Sequence, residues 1–265
     1  MAEVWHLALG TPEVEKSPNF YLSDEYCAKR DACNLEIINH YTNMESLLKI
    51  ISSKYWKFTR IDKVNDKTEG WRVREEGLDY RTFVACFDKS LDESIPLWYI
   101  YTQKGQGVRL QLKYNNNSIG YYFADKNKEI ISNGEKLIYG ENFHFCMHNV
   151  IYSDSLEHNG SRNIIWPDGG IEIDRLAVRK STAWKYENET RIVVYVQNGV
   201  AHSLADYILV PIDFTRINTI TITFDPWMSE EIKDCMKYYI LNNMSDFHEI
   251  KIEFQNSVFT EKIER

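Results

Sequence analysis

Glu187, Glu189 and Arg191 stand two residues apart in the stretch Lys180-Ser-Thr-Ala-Trp184-Lys-Tyr186-Glu187-Asn-Glu189-Thr-Arg191. Two carboxylates and a guanidinium at this spacing can orient a polar ligand or stabilise positive charge that develops during a reaction. They can also do nothing more than pair with one another, which at a surface contributes under about 1 kcal/mol. The stretch runs into Ile192-Val-Val-Tyr-Val196, whose β-branched and aromatic residues predict a strand. If the strand extends back through the whole stretch, alternation sends Trp184, Tyr186, Asn188 and Thr190 to one face. Lys185, Glu187, Glu189 and Arg191 then share the other. Two readings follow: the solvated outer face of an antiparallel sheet, or a catalytic carboxylate with its neighbour and an anchoring arginine.

A second polar candidate lies near the beginning. Leu35 to Tyr41 reads as a strand, and Thr42-Asn-Met-Glu45 has the capping-box pattern that starts a helix. Met44, Leu47, Leu48 and Ile51 follow with the period of a buried helix face. His40 is thereby placed at a strand end next to a helix N-terminus, a position that favours anionic ligands. As a bland alternative it is a structural hydrogen-bonder. Asn65-Asp66, with Glu69 after it, occupies a loop where both side chains suit turn chemistry. His144-x-Cys146-x-His148 would share a strand face but lacks a fourth ligand at fixed spacing, so no metal site is expected.

The elements that must hold these residues are legible as short strands with few helices. Strands are expected at Trp56–Arg60, Thr82–Phe87, Val108–Leu112, Tyr121–Phe123 and Asn149–Tyr152, with a short helical turn at Pro96–Tyr101. Late in the chain come a strand from Tyr207, a strand Ile217–Phe224, a helix with Ile232, Met236, Tyr239 and Ile240 inward, and a strand Ile250–Phe254. That ending predicts a β-α-β unit with a right-handed crossover. Residues 1–34 read as an N-terminal extension, 35–256 as a single α+β domain and 257–265 as a tail.

At 43% hydrophobic and 26% charged, the chain has an ordinary globular composition, and its many aromatics allow a sizeable core. A net charge of -8 argues against attachment to nucleic acid through the overall field, although a local groove is compatible with it. No apolar run approaches the roughly 20 residues of a membrane span, and Met-Ala-Glu-Val-Trp-His does not resemble a signal peptide. Five cysteines without a C-x-x-C suggest free thiols in a reducing cytoplasm rather than a disulfide framework.

Taken in order, His40-Tyr41-Thr42, Asn65-Asp66 with Glu69, Cys86-Phe87, Leu97-Trp98 and Lys180 through Arg191 resemble an uncharacterised prokaryotic family, a domain of unknown function, over about residues 35 to 256. More loosely, a His-x-Thr strand end, a following helix and a late-strand glutamate resemble the ADP-ribosyltransferase fold. That likeness implies a split, mostly antiparallel sheet holding a nicotinamide dinucleotide, NAD, as substrate. It implies that His40 orients a ribose and that Glu189, or else Glu187, grips the nicotinamide ribose and stabilises an oxocarbenium-like transition state. His40, Tyr41, Thr42, Asn65, Asp66, Trp98, Tyr101 and Arg191 become the expected binding residues, with Tyr41, Trp56, Trp98 or Tyr101 stacking on nicotinamide.

Three functions remain after this reading. The first is an NAD-dependent ADP-ribosyltransferase or NAD-consuming enzyme, a toxin or phage-conflict effector acting on a protein or nucleic-acid acceptor. The second is a non-catalytic nucleotide- or protein-binding module on the same fold. The third, a metal-dependent nuclease, would use Asp66, Glu69, Glu187, Glu189 and Lys180, and the acidic balance of the chain disfavours it.

Overall fold

The structure, a computed structural model, describes residues 35–66, 69, 79–115, 119, 123–138, 143–152, 177–196 and 205–260. The expected extension at 1–34, most of the strand at Tyr121–Phe123 and the end of the tail lie outside the described residues. What is described is a mixed α+β protein whose large sheet is mostly antiparallel.

Its strands are β1 (Ile37–Asn43), β2 (Tyr55–Arg60), β3 (Thr82–Asp88), β4 (Gly107–Tyr114), β5 (Ile130–Ser132), β6 (Glu135–Leu137) and β7 (Phe143–Asn149). They continue with β8 (Ile151–Tyr152), β9 (Arg179–Lys180), β10 (Glu189–Val196), β11 (Tyr207–Pro211), β12 (Ile217–Phe224) and β13 (Lys251–Asn256). The helices are α1 (Met44–Ser53), α2 (Ile95–Tyr101) and α3 (Glu230–Asn243). Along the main path the order is β13-β12-β4-β1-β3-β2-β11-β5-β6, with β10 inserted beside β3 and carrying β7 on its far edge. The closing unit is the expected β-α-β: β12 and β13 are parallel, and α3 connects them.

β3 is the organising strand. One of its edges is taken along its full length by β10, from Glu189↔Asp88 to Tyr195↔Thr82. The other edge is divided: β2 pairs at Phe83 and Val84, and β1 pairs only at Asp88, through Asn39. The sheet therefore splits between β2 and β1, opposite the middle of β3.

Two apolar layers follow from strand alternation. Ile38, Phe87, Leu110, Ile192 and Val194 face the larger core, with Met236 and Ile240 of α3 and Leu47 and Ile51 of α1 packed over them. On the opposite face Val84 and Val193 meet Ile61, Ala177 and Val178, while α2 lays Leu97 and Trp98 on Tyr41.

Local chemistry differs from the sequence pattern at one helix start. Asn43, not Thr42, caps α1, its Oδ1 accepting from Ser46 N at 2.9 Å. Glu45 pairs with Lys49 one turn on instead of returning to the cap. β1 runs two residues further than expected, and that shifts the cap by one.

Candidate active site

Trp184 to Asn188 do not continue the strand. Thr182–Glu187 form a 3-10 helix, and Asn188 follows in the left-handed region with φ 43°, a conformation asparagine tolerates better than most residues. β10 begins only at Glu189. Alternation therefore holds for Glu189 and Arg191, while the helical turn delivers Glu187 to them. Lys185 points out to solvent, contrary to the extended-strand reading.

The outer-face reading is overturned as well: Glu187, Glu189 and Arg191 are 5%, 3% and 1% exposed. Arg191 Nε donates to Glu189 Oε1 at 2.6 Å, and its Nη1 donates to the Ala177 carbonyl at 2.7 Å. Its Nη2 pairs with Glu69, 122 residues away. Lys180, from β9, stands among three carboxylates, its Nζ 2.5 Å from Glu187 Oε2, 3.0 Å from Glu69 Oε1 and 3.2 Å from Glu189 Oε2. From α2, the Tyr101 hydroxyl donates to Glu187 Oε1 at 2.5 Å. Tyr152 accepts the backbone N–H of Glu189 at 2.8 Å and so fixes the start of β10.

The cluster holds three carboxylates and two permanent cations, and its electrostatics separate the two neighbouring glutamates. Burial alone would raise the Glu189 carboxyl, but Arg191 and Lys180 outweigh it and hold the group down to about 2. For Glu187 burial dominates, with the charge of Glu189 adding to it. The group is pushed above the usual carboxylate range despite the hydrogen bonds from Lys180 and Tyr101. Lys180 stays firmly protonated: burial opposes its charge, but Glu189 and Glu69 more than offset that. One carboxylate is thus fixed as an anion beside another that takes a proton more readily. Trp184 covers the Lys180 ammonium at 4.7 Å, and the half-exposed ring of Tyr186 lies 6.0 Å from that of Trp184.

His40 does not belong to this group. Asn39, Asp88 and Glu189 are directly paired across β1, β3 and β10, so they share a face, and His40, next to Asn39, points to the other. There its ring stands edge-on to Trp56, centroids 4.9 Å apart, and near Phe87 at 5.9 Å. Its Nδ1 lies 3.1 Å from the Cys86 carbonyl, so the proton sits on Nδ1 and the ring donates. Burial lowers its pKa to about 4. This bond supplies a partner to a strand carbonyl at the split, where neither β1 nor β2 pairs with β3. The expected cleft lined by both His40 and Glu189 is therefore not formed; the histidine is a structural hydrogen-bonder.

The remaining expected residues divide in the same way. Thr42 is buried on the His40 face. Tyr41 and Trp98 are on the Glu189 face but packed edge-on to each other at 4.9 Å. Trp98 is fully buried, so it offers no ring face to a ligand. Asn65 is exposed, and the Asp66 carbonyl accepts from Glu69 N at 3.1 Å, which places the Glu69 loop. Only Glu187, Glu189, Arg191 and Tyr101 of the expected set come together. Glu69 and Lys180 join them; in the sequence both stand only as motif members or metal-site candidates. Here the ammonium occupies the centre toward which the carboxylates converge. Tyr152 and Cys86, whose side chain lies on the Glu189 face of β3, carried no sequence signal for this site.

The fold and site together define an α+β protein with a buried, mixed-charge cluster on one face of a branched antiparallel sheet. Residues 97–192 match a family described as a protein of unknown function (DUF2971). The resemblance to an uncharacterised family thus holds over that segment, which includes Leu97-Trp98 and Lys180 to Arg191; the three earlier motifs lie outside it. No curated protein matches the sequence. Two solved structures are similar at 10% identity: Thermus sp. 2.9 DarT in complex with carba-NAD+, covering 84% of this chain and 95% of that chain with a TM-score of 0.31, and Thermus sp. 2.9 DarT in complex with ADP-ribosylated ssDNA, covering 83% and 94% with a TM-score of 0.33. No helix among the described residues is long and apolar enough to cross a membrane.

Proposed function

We propose that the protein is an NAD-consuming enzyme of the ADP-ribosyltransferase kind, with its reaction centre at Glu189 and Glu187. The observation that carries this reading is the buried Glu189 carboxylate at the head of β10, 2.6 Å from Arg191 Nε and 3.2 Å from Lys180 Nζ, with Glu187 sharing the same ammonium. Breaking the bond between ribose and nicotinamide leaves positive charge on the sugar, and a preorganised carboxylate stabilises that charge without reorganising. A carboxylate accepts at about four lone-pair positions, so Glu189 retains acceptor capacity for a ribose hydroxyl beyond its bonds to Arg191 and Lys180. In this reading Glu187, next in sequence to the exposed Tyr186, meets the acceptor, whether protein or nucleic acid. Tyr101 and Arg191 position the two carboxylates.

The experiment is incubation of the protein with NAD labelled in its adenylate half, with protein and single-stranded nucleic-acid acceptors supplied. Free nicotinamide and transferred label are then measured. Release of nicotinamide is the expected result. Absence of both products with every acceptor contradicts the proposal.

A non-catalytic binding module is the second reading. It is favoured by the removal of His40 from the site and by the cations already bound to both Glu189 oxygens. It predicts thermal stabilisation by NAD with no product.

A further inference from the structure

Glu187 and Glu189 reach Lys180 from two kinds of backbone, and a single residue joins them. Glu189 is held by the ladder: it opposes Asp88 at the end of β3, and its N–H donates to the Tyr152 hydroxyl oxygen at 2.8 Å. Glu187 lies outside the ladder, at the end of the 3-10 helix, with its carboxylate 2.5 Å from both Lys180 Nζ and the Tyr101 hydroxyl. Between them Asn188 adopts φ 43° and ψ 47°. The chain leaving β3 passes beside this turn. Lys89 N donates to the Asn188 carbonyl at 3.3 Å, and Asn188 Nδ2 donates to Ser90 Oγ at 2.8 Å.

Ser90 is anchored independently of that bond. Its N–H donates to Asp88 Oδ1 at 2.7 Å, and its carbonyl accepts from Asn39 Nδ2 of β1 at 2.8 Å and from Arg109 Nη2 of β4 at 2.7 Å. Three main-chain contacts thus fix the serine on β1, β3 and β4, and its hydroxyl meets Asn188. An asparagine in a turn ordinarily bonds backbone within a residue or two of itself, whereas this one reaches a side chain 98 residues away. Water would satisfy the amide as well; a fixed serine adds position. We propose that Ser90 and Asn188 are positioning residues: through the bond between them the sheet sets the turn at Asn188 and so keeps the Glu187 carboxylate on Lys180 and Tyr101, beside Glu189. The consequence for chemistry rests on the NAD reading, since a misplacement of about 1 Å at a reacting group costs on the order of a hundredfold in rate. The link itself does not rest on it.

Ser90→Ala removes the hydroxyl and leaves all three main-chain contacts, and Asn188→Gly keeps the left-handed backbone while removing the amide. The first measurement needs no NAD: thermal unfolding midpoints of wild type, Ser90→Ala, Tyr101→Phe and the double variant of the full chain. Tyr101→Phe acts through the bond to Glu187, so its midpoint shift in Ser90→Ala should be less than half of that in wild type. Equal shifts in the two backgrounds mean that the residues are uncoupled, and overturn the link. The second measurement is nicotinamide release from NAD. Ser90→Ala and Asn188→Gly should each lower kcat by about ten- to a hundredfold with KM within about threefold of wild type, the pair together should lose no more than either alone, and Ser90→Thr should restore the rate. A kcat within about twofold of wild type in Ser90→Ala overturns the positioning role. Absence of nicotinamide release from the wild-type chain removes the NAD reading instead, and the midpoints then decide the link alone.

Discussion

His40 and Glu189 approach the same residue, Cys86, from opposite faces of β3. The imidazole donates to the Cys86 carbonyl at 3.1 Å, while Glu189 shares the opposite face with the Cys86 side chain. Histidine and glutamate are thus near in space and separated by a strand, with no cleft between them. What the histidine does for the fold is therefore independent of the role proposed for the glutamate.

Removing the imidazole should therefore cost stability. His40→Ala strands the Cys86 carbonyl at the split and opens a gap beside Trp56 and Phe87, a loss of about 1–3 kcal/mol. Urea unfolding followed by tryptophan fluorescence reads it. A cost below about 0.5 kcal/mol would show that the carbonyl has another partner.

Lys180→Met is expected to be more damaging, because it leaves Glu69, Glu187 and Glu189 facing one another around a single arginine. Breaking a buried ion pair from one side costs about 3–5 kcal/mol. Adding Glu69→Gln to Lys180→Met removes one of the stranded charges and should restore part of the loss. A double variant no more stable than the single one would contradict the charge balance drawn here.

The pH dependence of folding follows from the same groups. Glu189 has a pKa depressed from 4.5 to about 2, so its contribution is complete above about 4.5 and is lost as pH falls from there toward 2. His40 is depressed from 6.5 to about 4; its neutral form is the folded one, so stability is complete above about 6.5 and declines as pH falls toward 4. Glu187 is raised and has the opposite sign, its protonation favouring the fold. Unfolding free energies across pH 3 to 8, for wild type and His40→Ala, separate these windows: the variant should lose the slope between about 6.5 and 4 and keep the one below it.

Gly107 is a backbone requirement. A Cβ there would lie 2.3 Å from the Thr42 carbonyl and 2.5 Å from Thr102 Cβ, where β4 begins opposite the end of β1. The carbonyl belongs to the ladder and cannot retreat. Gly107→Ala should lower stability by at least about 2 kcal/mol, read by thermal unfolding.

Much of this architecture was visible in the residues themselves. Alternating apolar runs located β2, β3, β4 and β12, and the periodicity of Met236 and Ile240 located α3. Clustered charges in Lys180 to Arg191 marked the segment that supplies most of the buried charge cluster. Three features were out of reach for physical reasons. The strand pattern of Trp184 to Asn188 is broken by a 3-10 turn that Asn188 ends in the left-handed region; its residue type was the one available hint. Glu69 reaches Arg191 across 122 residues, a closure that no local period records. The face taken by His40 depends on the pairing Asn39↔Asp88↔Glu189, and a shift of one residue in that register would have reversed it.

The most direct test of the central claim is the rate of nicotinamide release from NAD by Glu189→Gln beside His40→Ala, each normalised to its folded fraction. Glu189→Gln should fall by about two to three orders of magnitude, the usual cost of removing one preorganised electrostatic group, while His40→Ala should stay within about threefold of wild type. Full activity in Glu189→Gln, or collapse in His40→Ala with Glu189→Gln intact, would contradict a reaction centred on the Glu189 face of the sheet.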